Sequence, residues 1–168
     1  ETGQKINTIK VKKELNIALM AFVDAIKKEG NKIKKVLIKK INSLEVAVLK
    51  ISKVNKVSQK KRLKVFKLKI ANLIKDLDET RVNQEIALLA LKHDVTEELD
   101  RIIFHTKSMN QELKKQSCSG KKIDFILQEL FREANTLSVK LDDPNSKNLA
   151  LDAKLLVEEM REQIQNVE

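Results

Sequence analysis

One proline and three glycines in 168 residues leave this chain almost nothing to turn on. A β sandwich or barrel needs a turn signal every ~8–12 residues, and that many turns cannot be made without breakers. Continuous helix is the remaining solution. The sequence therefore predicts an all-α fold of long antiparallel helices: a coiled-coil-like hairpin over residues 1–78, then a C-terminal helical unit over 79–168. Chains near ~150 residues bury roughly 70% of their unfolded surface, so a real core is within reach.

Hydrophobic spacing places the helices. Residues 1–8 read as a frayed or truncated start with no initiator Met. Leu15, Ala18, Leu19, Phe22, Val23 and Ile26 recur at helical intervals over residues 11–28, and Gly30 suits a C-cap. Ile33, Leu37, Ile41, Leu44, Val48 and Ile51 alternate fours and threes, the seam of a coiled coil. The pattern fades over 52–62 and resumes with Leu63, Phe66, Ile70, Leu73 and Leu77, which predicts two antiparallel helices, or one kinked helix, joined near 55–59. Asp78 or Thr80 could cap a helix over 81–115 that buries Leu88, Leu91, Val95, Leu99, Ile102 and Met109. After a loop at 116–120, a helix from 122 to about 139 should bury Phe125, Ile126, Leu130 and Leu137. Asp143-Pro144 fits an N-cap followed by proline at the first helical position, opening a last helix through Asn166.

The longest apolar run, residues 86–91, is far short of the ~18–20 residues that span a bilayer, and no cleavable leader opens the chain. Cys118 alone makes no internal disulfide and no cysteine zinc site, which suits a reducing cytoplasm. Charge is split along the chain. Residues 1–75 hold 21 Lys and Arg against 5 Asp and Glu, net +16, whereas residues 76–168 hold 13 against 19, net −6. A cationic half can grip a polyanion such as RNA, DNA or anionic lipid, and it can equally be a solvated helix face. With Trp and Tyr absent and most of the five Phe on apolar helical positions, base stacking is not expected, and RNA would be held by phosphate and sugar.

Polar residues of mixed kind concentrate at 92–105. On a helix, Asp94, Glu98, Arg101 and His105 fall within about 60° of one another, off the apolar stripe. Such a row could hold a divalent metal or share a proton; a plain ion-pair ladder of Asp94, Glu98 and Arg101 is the simpler reading from spacing alone. A second series follows: Asp124, Gln128 and Arg132 at intervals of four, with Glu129, Glu133 and Thr136 beside them and Asn135 next in line. Arginine within a turn of carboxylates can hold a phosphate beside a general base, or form surface ion pairs. His93 points to another side and reads as an ordinary surface histidine. No glycine-rich phosphate loop and no Gly-x-Ser-x-Gly elbow is present.

The run Arg81-Val82-Asn83-Gln84-Glu85-Ile86-Ala87-Leu88-Leu89-Ala90, then His93-Asp94-Val95-Thr96-Glu97-Glu98-Leu99-Asp100-Arg101 with His105, resembles the C-terminal region of the bacterial YicC/YloC family. Gly120-Lys121-Lys122-Ile123-Asp124-Phe125, Gln128-Glu129, Arg132-Glu133-Ala134-Asn135-Thr136 and the ending from Glu158 to Glu168 are similar to it as well. With Lys28-Glu29-Gly30 the resemblance runs from Phe22 to Glu168.

The resemblance implies a divalent-metal-dependent endoribonuclease acting on single-stranded or hairpin RNA, assembled as a homo-oligomer, a hexamer by family likeness. Carried onto matching positions, it implies catalytic roles for Glu98, Arg101, His105, Asp124, Arg132 and Glu133. Asp94, Glu97, Glu98, His105 and Glu129 would hold Mg2+ or Mn2+ and activate a water. Lys121, Lys122, Gln128, Arg132, Asn135 and Arg161 would hold RNA. His105 as general base on a ribose 2′-OH is the competing mechanism. Family members carry an α/β region upstream, so a shortened gene product is the expectation. Phe131 stands where the family commonly has Asn, and Ile26 where an Arg often precedes the Glu-Gly block. Two alternatives stay open: an RNA-binding helical module without catalysis, and a structural coiled-coil protein whose 33–77 seam binds a partner helix.

Overall fold

The computed structural model describes residues 8–73 and 79–165. The expected frayed start, Leu77, the proposed cap at Asp78, the 78/79 domain boundary and the helix end at Asn166 involve residues outside those described. Five helices follow one another: α1 (Thr8–Leu73), α2 (Glu79–Lys92), α3 (Thr96–Lys114), α4 (Gly120–Lys140) and α5 (Pro144–Gln165). The fold is all-α, with no strand among the described residues. None of the described helices is long and apolar enough to cross a membrane. The chain divides into two compact units, one ending at Leu37 and the other beginning at Ile38.

In the first unit, α1 runs straight through Gly30, correcting the expected C-cap. No described glycine has positive φ, and a helical Gly costs only about 1 kcal/mol relative to Ala, too little to end a helix among good formers. Leu15, Leu19, Phe22, Val23 and Ile26 keep their helical spacing but are exposed.

In the second unit the seam behaves as its spacing predicts. Ile41, Leu44, Val48 and Ile51 are fully buried. Of the two alternatives at 55–59, the break into two helices is corrected, because α1 continues across it as one helix. Residues 52–62 contain polar and charged helix formers and no breaker, so fading periodicity there marks lost burial, not a lost helix. Asn55 is itself buried and accepts a hydrogen bond from Arg62 Nη2 at 3.4 Å. Lys40 pairs with Glu159, tying α1 to α5.

The single helix expected over 81–115 is two helices, and Thr80, proposed as a cap, lies within α2. Asp94 marks the break: its Oδ1 accepts from the Thr96 amide at 2.9 Å and from Thr96 Oγ1 at 2.6 Å, a local side-chain turn that satisfies the first amide of α3 just ahead of its N-cap Val95. The interruption takes α2 out of phase with α3. Val95, Leu99, Ile102 and Met109 are buried as expected, but Leu88 and Leu91 are exposed.

α3 packs on α4, and α4 on α5. Ser119 caps α4 by accepting from the Lys122 amide, so that helix starts two residues before its expected position. Ile126, Leu130 and Leu137 are buried, as expected; Phe125 is 60% exposed, because one residue along a helix rotates the side chain about 100° off the core stripe. Asp143 Oδ2 accepts from the Ser146 amide at 2.9 Å with Pro144 as the first residue of α5, the cap read from the sequence. That hydrogen bond holds the Asp143 carboxyl below its ordinary pKa.

Candidate functional site

Charged pairs fix how α3 lies on α4. Glu98 meets Lys140 at 2.6 Å, Arg101 meets Glu133 at 3.2 Å, and Glu112 meets Lys122 at 3.1 Å, so the helices run antiparallel with their polar edges in register. Arg101 also reaches Glu97 at 2.5 Å, one turn back on α3. The hydrogen bond to buried Glu133, with Glu97 adding to it, raises the Arg101 pKa and keeps its guanidinium charged. The same register carries His105 on α3 and Glu129 on α4, each one turn further along.

His105 lines a cleft of about 280 Å3 between α3 and α4, together with Phe104, Glu112, Lys115, Lys122 and Phe125. The His105 ring meets Phe104 edge-on, with centroids 5.4 Å apart. Glu112 is only 4% exposed and bonds Lys115 at 2.7 Å as well as Lys122. Those ammonium groups, Lys115 foremost, and the Ser119 amide outweigh desolvation and lower the Glu112 pKa to about 2. Two ammoniums on one carboxylate leave an excess of one positive charge, and both lysine side chains are more than half exposed. The groove thus offers an imidazole flanked by cations, suited to holding a phosphate and moving a proton beside it.

Other residues expected in the site lie elsewhere. Asp94 lies one residue before Val95, the N-cap of α3, and its pKa is lowered chiefly by the Thr96 hydroxyl and amide. Glu98 is buried against Lys140, whose Nζ also donates to the Asp94 carbonyl; Glu98 Oε2 has no hydrogen-bond partner. On the α4–α5 side, Gln128 donates to Asp124 at 2.7 Å, and Arg161 Nε lies 3.9 Å from Asp124 Oδ1. Lys154 and Arg161 sit over the Phe131 ring, and Lys154 donates to Asn135. Arg132 and Lys121 are exposed, and Glu129 is half-buried. The helical row Asp94, Glu98, Arg101, His105 is therefore not one ladder: Asp94 precedes the helix, Glu98 turns inward, and Arg101 pairs with Glu97 and Glu133.

Among the described residues no three His, Cys, Asp or Glu side chains are grouped to hold a metal ion. Three of the five donors expected to do so are committed to separate partners, Asp94 to Thr96, Glu97 to Arg101 and Glu98 to Lys140, while His105 and Glu129 lie further along the helices. As arranged within this chain, they do not fit a resident cation.

Sequence reading missed Lys140, Glu112, Lys115, Phe104 and Phe125. Only Glu112 and Lys115, spaced i and i+3, carried a local signal. It also misjudged His93, which is 20% exposed, with Nδ1 3.1 Å from both Asp142 Oδ2 and the Lys140 carbonyl. His93 joins Arg62, Phe66 and Asp142 around a second cleft of about 430 Å3, and Arg62 reaches the same Asp142 oxygen at 3.0 Å.

The family profile described as "Endoribonuclease YicC-like, C-terminal" matches residues 51–168. A protein of Haemophilus influenzae named "Probable endoribonuclease YicC" is 38% identical over 151 residues, covering 89% of this chain and 52% of the relative. One of the same name from Clostridioides difficile is 33% identical over 154 residues, 90% of this chain and 53% of the relative. The chain spans about half the length of these curated relatives. The extent of the profile match, well over half of the chain, shows that this chain belongs to the YicC-like family.

Proposed function

We propose that this chain takes part in endoribonucleolytic cleavage of single-stranded or hairpin RNA in the cytoplasm, with the α3–α4 groove as the place of reaction. The observation that carries the reading is the convergence of His105, Lys115 and Lys122 on one cleft, with Arg101 held by Glu133 one turn away. Arg101 and Lys122 steady the scissile phosphate, and Glu97 and Glu133 orient Arg101. His105 takes the proton from the ribose 2′-OH; the 2′ oxygen attacks phosphorus, the bond to the 5′ oxygen breaks, and the protonated imidazole returns its proton to that leaving oxygen. Asp124, Gln128, Arg132, Asn135 and Arg161 extend the surface on which the strand lies, and the Lys-rich part of α1 supplies longer-range attraction.

Dependence on Mg2+ or Mn2+ belongs to the proposal as a requirement to be assayed, and no step above runs through a cation. A homo-oligomer, hexameric by family likeness, is also proposed. The exposed apolar side chains Leu88, Leu91, Val139, Leu151 and Leu155 support burial between copies.

The test is incubation of an end-labelled RNA hairpin with the protein plus Mn2+, plus Mg2+, or with chelator. Cleavage that His105→Ala removes supports the reading; intact RNA under every condition overturns it. A second reading, an RNA-binding module without cleavage, is favoured by one observation: Arg101, Lys115 and Lys140 are each already paired to a carboxylate. Retardation without cutting would establish it.

A further inference from the structure

Two of the chain's five phenylalanines are spent on the rim of the His105 cleft. Phe104 is 65% exposed and Phe125 60% exposed, and both line it. A core helix pair gains nothing from leaving two such rings in water. They line the same cleft as Lys115 and Lys122, whose charge the single Glu112 carboxylate does not cancel. Apolar π faces beside unbalanced cations complement one kind of occupant: a flat, uncharged ring tethered to an anion. The cleft volume of about 280 Å3 lies just below the ~300–1,000 Å3 range of drug-sized ligand sites, room for a base and its phosphate and not for a duplex.

We infer that the cleft is a nucleobase subsite: an unpaired base of single-stranded RNA stacks on Phe104 and Phe125 while its phosphate lies against Lys115 and Lys122. This rests on the RNA reading of the groove and sharpens it, because only a base outside a duplex exposes its face to an aromatic ring. It revises the expectation from composition. Few aromatics are present, but two stand where a strand would pass. Stacking selects unpaired segments without selecting their sequence, since every base has a π face.

The chain's lack of Trp and Tyr makes the test direct. Phe104→Trp gives the 168-residue chain a single indole at the subsite. Titration with a ten-nucleotide single-stranded RNA whose riboses are 2′-O-methylated, in chelator, so that no cutting occurs, should quench its emission; a blunt duplex of equal phosphate number should not. In parallel, fluorescence anisotropy of labelled RNA should show Phe104→Leu and Phe125→Leu each weakening single-strand binding about tenfold, with duplex affinity unchanged. Single-strand binding that survives both leucine variants and leaves the indole unquenched overturns the subsite and spares the RNA reading. Absence of binding by the unaltered protein overturns both. A fall in oligomeric mass for the leucine variants, measured by light scattering, with RNA affinity unchanged, assigns the rings to an interface between copies and also overturns the subsite.

Discussion

Lys140 at the end of α4 reaches back to Glu98 in the first turn of α3, Nζ to Oε1 at 2.6 Å, and so pins the open end of the α3–α4 pair. Glu98 is 6% exposed, and its other oxygen has no hydrogen-bond partner. Removing the lysine strands a buried carboxylate. Lys140→Met should lower stability by about 2–3 kcal/mol, and adding Glu98→Gln should recover at least half of it, because the stranded charge, more than the lost attraction, sets the cost. Urea unfolding followed by helicity measures both; equal stabilities for the single and double variants would contradict this.

His105 and Arg101 should separate chemistry from fold. His105→Ala should slow RNA cleavage by about 100-fold or more, the usual span for removing an acid–base group, while leaving the circular dichroism spectrum unchanged. Arg101→Ala should cost a similar factor, and Arg101→Lys should recover only part, because one ammonium cannot reproduce the fork that reaches both Glu97 and Glu133. Cleavage at the unaltered rate in His105→Ala would remove the groove from the reaction.

Acid should loosen the closed end of the groove. Glu112 has its pKa lowered from 4.5 to about 2, chiefly by Lys115. A carboxylate depressed on folding contributes stability that is fully present above its unfolded value and lost as pH falls through the folded one. The contribution of Glu112 should therefore disappear between about pH 4.5 and pH 2. Asp94 and Asp143, lowered by the Thr96 and Ser146 hydrogen bonds, add to the same acid limb. Glu112→Gln should flatten stability against pH in that window, and melting temperatures from pH 6 down to pH 2 provide the measurement.

Gly30 lies in helix with nothing within 4 Å of where a Cβ would stand. Gly30→Ala should raise stability by about 0.5–1 kcal/mol through lower backbone entropy in the unfolded chain. Thermal melts monitored by helicity check it, and a lower midpoint would show that the glycine is needed for close approach of another chain.

What could be read from the sequence was whatever a single helix decides for itself. The Ile41–Ile51 seam and the Asp143-Pro144 start were legible because burial period and cap chemistry are local. The run over 52–62 suggested a break between two helices because it lost its apolar stripe; a helix can continue without one where nothing covers it. Asp94 carried a legible cap signal in Thr96, two residues on, yet was read as helical and so placed in a row with Glu98 and Arg101. Of the groove proposed as the site, His105 and Arg101 were named from residue type and family likeness. Arg101 with Glu133, and Glu98 with Lys140, were not, since such pairs exist only once the antiparallel register is set. The exposure of Phe125 could not be told from its hydrophobicity, which is the same on either side of a helix.

The three rungs between α3 and α4 are nested: Glu112 with Lys122, then Arg101 with Glu133, then Glu98 with Lys140. Each encloses the one before it around the connection at residues 115–119, so the entropy of closing the outer loop is already largely spent when the inner rung has formed. Such a pair zips from its turn outward, with the Glu112–Lys122 rung first and Lys140 last, and its short sequence separations favour fast formation. The cleft at His105 lies beside the innermost rung, so loop-closure entropy favours its assembly ahead of the far end of the helix pair.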